Sequence, residues 1–184
     1  LATLTNKRYS NREEWANTLS HGAGILLGIV AGYFLLRKAS VAADPRWAVP
    51  CVIVYLAGML SSYVSSTWYH GSRPGALKEQ LRKFDHGAIY LHIAGTYTPF
   101  TLLVLRHAGG WGWGMFTFVW LSAIAGFILS FKKRKEHSNL ETVCYVGMGA
   151  CKLVAMNPIL YQLEMAGDYP SFWCLIGVCI SYIT

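Results

Sequence analysis

The sequence is short of charge. Only 14% of its 184 residues are Asp, Glu, Lys or Arg, against about 25% in a typical soluble domain. Acidic residues are the scarcer kind, nine against sixteen basic ones. These shortages exclude a disordered, charge-rich chain and the surface of an ordinary soluble enzyme. The five cysteines, at positions 51, 144, 151, 174 and 179, form no C-x-x-C pair. All five lie inside apolar stretches, so they read as small buried hydrophobes rather than a zinc knuckle or a disulfide framework. No cleavable signal peptide is recognisable: about sixteen polar or mixed residues precede the first apolar block, which is too long for an h-region. Internal repeats, low-complexity tracts and domain linkers are also missing, which leaves one domain over residues 1–184.

What is present is apolar and aromatic. Hydrophobic residues make up 54% of the chain, with seven Trp and eleven Tyr, and the mean hydropathy is +0.34. They are gathered into blocks, and a spanning helix needs about 20 mostly apolar residues. The blocks predict helices near 18–36, 47–68, 87–105, 111–131 and 142–161. A further block from 171 is still apolar at Thr184 and reads as a helix in which the chain ends. The expected fold class is therefore an all-α, polytopic transmembrane helix bundle. Trp47, Trp68, Trp111, Trp113 and Trp173 fall near block ends, where aromatic belts form. Thr98-Pro99 and Asn157-Pro158 read as kinks within spans.

The net charge of +7 could mark a nucleic-acid binder, but the basic residues sit in short clusters between apolar blocks. That arrangement suits topology signals and anionic lipid heads, not nucleic acid. Lys7, Arg8, Arg12, Arg73, Lys78, Arg82, Lys83 and the run Lys132 to Lys135 would share one side. Arg37, Lys38, Arg46 and Arg106 would share the other. By the positive-inside bias the N-terminus is expected in the cytoplasm.

On this topology the unusual polar residues converge. Glu14, Asn17 and His21 open the first helix and share a face at helical spacing. Ser66 and His70 close the second helix, and Asp85 and His86 open the third. Asp85, Ile89, His92 and Thr96 continue inward as a stripe. Ionisable groups at membrane depth are costly and tend to line a bundle interior or a wet cavity. Imidazole, carboxylate and hydroxyl groups pooled in this way could hold a zinc ion and its water. Such a metal makes a nucleophile near neutral pH, and a neighbouring carboxylate can take the proton. Each residue also has a plainer reading. The histidines can be satisfied helix-interface residues. Glu14 and Asp85 can be carboxylates favoured at helix N-termini. Ser66 can bond the carbonyl one turn back. The run Lys132 to Lys135 is best read as a topology anchor, and Lys152, within the fifth block, has no sharper account.

The series Glu14-x-x-Asn17-x-x-x-His21, Ser66-x-x-x-His70 and Asp85-His86, followed by Ile89-Tyr90 and Ala94-Gly95-Thr96-Tyr97-Thr98-Pro99, resembles the hemolysin III family. That family lies within the wider progestin and adiponectin receptor superfamily. The resemblance covers about Arg12 to Thr184. It implies a seven-helix membrane protein of a bacterial plasma membrane, with zinc near the cytoplasmic face. By resemblance His70 is the second-helix metal ligand, and Ser66 and Asp85 hold the zinc-bound water as catalytic residues. The family draws two more ligands from an H-x-x-x-H motif on its seventh helix. This sequence has no such motif, since only His92, His107 and His137 follow His86. The chain is therefore expected to stop before that helix. The implied role is membrane lipid homeostasis with membrane lipids as partners, through zinc-dependent hydrolysis of a lipid amide or ester. The alternatives are a non-enzymatic sensor or regulator with structural zinc, and a cytolytic pore.

Overall fold

The computed structural model describes residues 9–132, 140–154, 156–165 and 167. Its elements are α1 (Asn11–Ser40), α2 (Pro45–Gly71), α3 (Ala76–Pro99), α4 (Trp111–Ser130), α5 (Leu140–Val154) and α6 (Met156–Met165). A π-helical turn, Phe100–Val104, extends α3. Among the described residues there is no strand. Expected positions 171–184 and Trp173 lie outside the described residues, as do Lys7, Arg8 and Lys133 to Lys135.

Local chemistry sets the helix ends. Ser10 caps α1: its hydroxyl accepts from the Glu13 backbone N–H at 3.3 Å, and the Glu13 carboxylate accepts from the Ser10 N–H. This capping box starts the helix several residues ahead of the apolar block at 18. Asp44 precedes α2, with Pro45 in the first helical position, where its fixed φ and missing N–H do no harm. In α3 the extra turns before residue 87 carry Lys78, Glu79, Arg82 and Lys83, with an Arg82–Glu79 pair at 3.2 Å. Pro99 offers no N–H to the carbonyl one turn back, and the chain widens there, the Leu105 N–H reaching the Phe100 carbonyl at 3.0 Å. The Thr101 hydroxyl donates to the Tyr97 and Thr98 carbonyls at the same place.

Among the described residues four segments are long and apolar enough to cross a membrane: α1, α2, α4 and Val143–Met165, which runs through α5 and α6. The charged first turns of α3 keep it out of that group. It is instead the middle helix, packed on α2 along one side and on α4 and α5 along the other. Small residues let the helices close up, as expected where lipid tails are no less apolar than the side chains. Gly24, Gly28 and Gly32 of α1 lie against Tyr63, Met59 and Leu56 of α2. A Cβ at Gly58 would come within 2.6 Å of the Leu91 carbonyl oxygen, and one at Gly95 within 3.1 Å of the Val54 oxygen. These contacts fix α1–α2 and α2–α3 as antiparallel neighbours. Tyr90, Ala94 and Tyr97 of α3, Val119 and Ala123 of α4 and Met148 of α5 form the main core. Leu26, Leu27, Ile29, Val30 and Phe34 of α1 are exposed, which is the proper state for a lipid-facing surface.

Candidate functional site

The antiparallel order brings the start of α1, the end of α2 and the start of α3 to one end of the bundle. Glu14 is the hub there. Its Oε2 lies 2.8 Å from Nδ1 of His70, and its Oε1 lies 2.8 Å from Nζ of Lys78. The side chains involved are nearly dry, at 7% exposed for His70, 13% for Lys78 and 20% for Glu14. A carboxylate with an ammonium against it is an acceptor only, so the shared hydrogen belongs to His70 Nδ1. Nε2 is then the nitrogen left for another ligand. Lys78 also donates to the Ser72 carbonyl at 3.1 Å and sits 5.0 Å from the centre of the Tyr69 ring.

Aromatic rings wall in His70. Tyr69 is tilted against it at 4.7 Å, Tyr9 meets it edge-on at 5.4 Å, and His21 stacks parallel to it at 6.1 Å, ring centre to ring centre. Ser66 lies one turn below His70 on α2 and is buried. Asp85, on α3, is partly buried and close enough to His21 and Tyr69 to interact with both electrostatically. The fold thus gathers Glu14, His21, Ser66, His70 and Asp85 into one polar cup. Asn17 is partly buried on the same α1 face. The backbone carbonyl of His86 accepts from the Tyr145 hydroxyl at 2.9 Å, which ties its segment to α5. His92 and Thr96 lie deeper, and the Thr96 hydroxyl bonds the His92 carbonyl at 2.9 Å.

Lys78, Tyr69, Tyr9 and Tyr63 belong to this site but do not stand out in the sequence. Lys78 reads as one more loop charge; only its seating on α3, folded back against α2, turns it inward. The tyrosines look like ordinary members of apolar blocks. An apolar hollow lined by Trp111, Met115, Phe118 and Cys151 lies at the opposite end, away from the cup.

A catalytic zinc takes three protein ligands and leaves one position for water. His70 supplies one imidazole nitrogen, and the carboxylate on its other nitrogen is the partner that metal-bound histidines usually keep. Beyond that the donor set falls short: among the described residues no three His, Cys, Asp or Glu side chains are grouped to hold a metal ion. The residues described do not by themselves make a zinc site.

Packed α-helices of spanning length, with ionisable side chains pooled at one end, define a multi-pass helical membrane protein. The chain belongs to the hemolysin III family: the model of that family, described as haemolysin-III related, matches residues 9–184. It is 37% identical to Hemolysin-3 of Bacillus cereus over 156 residues, covering 85% of this chain and 70% of that protein. It is 35% identical to the Hemolysin-3 homolog of Bacillus subtilis (strain 168) over 159 residues, covering 86% and 73%. No solved structure matches it significantly.

Proposed function

We propose that this protein serves membrane lipid homeostasis in a bacterial plasma membrane, with the polar cup as its working site on the cytoplasmic face. The observation that carries this reading is the Glu14–His70–Lys78 set. Desolvating two charges and an imidazole at a helix-bundle end costs several kcal/mol unless the groups are paired. A purely structural helix contact needs no such arrangement. The basic residues Lys78, Arg82 and Lys83 at that end support a cytoplasmic location. Ser66 and Asp85 add a hydroxyl and a carboxylate suited to the carbonyl and hydroxyl groups of a lipid head.

Hydrolysis of a lipid amide or ester is the activity proposed for this cup. In that reaction Asp85 takes a proton from the attacking water and returns it to the leaving amine or alcohol as the acyl bond breaks. Ser66 orients that water, and Glu14 fixes the tautomer of His70. Were zinc bound at His70, it would supply the acidity of that water. A non-enzymatic regulator is the second reading. It is favoured by the closure of Glu14, His70 and Lys78 upon one another.

The deciding experiment uses the full-length protein in proteoliposomes with added zinc. Fatty-acid release from ceramides or phospholipids, lost in Asp85→Ala, supports hydrolysis. No release, together with a change of membrane fluidity in cells lacking the protein that wild type restores and His70→Ala does not, supports regulation. Neither release nor a fluidity change would overturn the lipid role.

A further inference from the structure

The cup does not end at His70. The His21 ring is 6.0 Å from the Tyr63 ring, and the Tyr63 ring is 6.1 Å from the His92 ring. These three side chains, from α1, α2 and α3, lead away from the ion-paired end into the bundle. Their depth follows from helix register. Gly58 lies against Leu91 and the Cα of His92, so His92 is level with the middle of α2. At a rise of 1.5 Å per residue that is about 18 Å in from His70, close to the centre of a hydrocarbon layer about 30 Å thick.

Among the described residues the polar atoms along this line find no partner. Among the described residues His21, Tyr63 and His92 have ring contacts but no side-chain hydrogen bond. The hydroxyls beside them behave differently. Thr18, Ser61, Ser65, Thr67 and Thr96 each donate to a carbonyl of their own helix, the usual solution in a membrane. An imidazole or phenol has no such local remedy, and in hydrocarbon each unpaired polar group costs several kcal/mol. Nor are these atoms sealed in. Among the described residues the fully buried side-chain nitrogen or oxygen without a partner is on Arg106, not on this line. Tyr63 and His92 are only partly buried. The line carries no Lys or Arg, so a phosphate or carboxylate has nothing to pair with.

We infer that the cup continues inward as a hydrated crevice, in which a short chain of water molecules bonds His21, Tyr63 and His92 and reaches the middle of the membrane from the Glu14 side alone. The crevice places a neutral, water-binding site at a depth where lipid chains are otherwise dry. This inference does not depend on the lipid reading of the cup.

Cysteine labelling tests it. The full chain carries His92→Cys, Tyr63→Cys or Ile29→Cys in membrane vesicles of known orientation. A small charged methanethiosulfonate reagent is added to one side, and peptide mass mapping reads each cysteine separately. Ile29 adjoins Gly28, which packs on Met59, so it shares the depth of His92 while facing lipid. Only the thiolate reacts, and it does not form in hydrocarbon. Positions 63 and 92 are expected to label about 100-fold faster than position 29, and only from the Glu14 side. Labelling at neither position, at 63 alone, or from the opposite side would overturn the inference. Should His92→Cys fail to accumulate, Ile89→Cys, about one turn shallower on the same stripe of α3 and partly buried, takes its place with the same outcomes.

Discussion

Glu14 of α1 holds Nδ1 of His70, at the far end of α2, across 2.8 Å, and with its other oxygen holds Lys78 of α3 at the same distance. One carboxylate therefore joins three helices. Removing a partner from a buried ionic set leaves the others uncompensated, at a cost of about 3–5 kcal/mol. Glu14→Ala should lower stability by that order in thermal unfolding of the detergent-solubilised protein. Lys78→Met should cost less, because the Glu14–His70 contact survives it. The double variant should fall short of the sum by about 0.5–3 kcal/mol, the range for residues in one network. Strict additivity would show that the two side chains do not act on each other.

The glycines of α1 and α2 make a second comparison. At Gly28 an added Cβ meets the end of the flexible Met59 side chain at 2.7 Å. At Gly58 it meets the Leu91 carbonyl oxygen at 2.6 Å and the Cα of His92 at 3.3 Å, both backbone. Met59 can turn aside and the α3 backbone cannot. Gly58→Ala should therefore destabilise by about 1–3 kcal/mol or more, the range for overpacking a filled interface, and Gly28→Ala by clearly less. Thermal unfolding of the two variants side by side checks the order, and equal losses would refute the close α2–α3 approach.

Thr98 carries a third test at the π-helical turn. Its hydroxyl donates to the Ala94 carbonyl at 2.9 Å and accepts from the Trp120 indole N–H at 3.1 Å. Thr98→Val keeps the shape and leaves the indole donor unpaired, which costs about 1–3 kcal/mol when the group is dry. Adding Trp120→Phe to that variant removes the orphaned donor and should recover part of the loss. Trp fluorescence and thermal unfolding read the pair, and no recovery would mean that the bond is not made.

The sequence displayed the helices through their apolar blocks and the cup through the spacing of Glu14, His21, Ser66, His70 and Asp85. Antiparallel packing of consecutive helices brings such residues to a common level whatever their side-chain details. Helix starts were hidden, because hydropathy marks where lipid begins and not where hydrogen bonding begins. The Ser10–Glu13 capping box and the charged turns of α3 both lie outside the apolar blocks. Lys78 was hidden for another reason. Its position in a polar connection says solvent, and only the folding of α3 against α2 buries it beside Glu14. The π-helical turn was half legible: Pro99 announces a break, but its widening depends on Thr101 and Leu105 finding acceptors among Tyr97, Thr98 and Phe100.

The opposite end of the bundle has its own ion pair, and the two partners are unequal. Arg106 donates to Asp44 at 3.2 Å, its guanidinium lies 4.5 Å from the centre of the Trp47 ring, and one of its nitrogens is buried with no partner among the described residues. The Arg106 side chain is 17% exposed and that of Asp44 39%. The wetter carboxylate can be solvated if left alone; the guanidinium cannot. Asp44→Ala strips a dry cation of its counter-charge and should cost about 2–3 kcal/mol after allowance for solvent screening. Arg106→Met removes that cation, keeps an apolar stem over Trp47, and leaves Asp44 to water and to Arg46 at 3.7 Å, so its cost should be nearer ~1 kcal/mol. Arg106→Lys keeps the charge but loses the planar stacking and the fork, and should fall between the two. Unfolding of the three variants in one detergent gives the ranking. If Arg106→Met proved the most damaging, the Arg106–Asp44 contact would be a net source of stability and not a charge held at a cost.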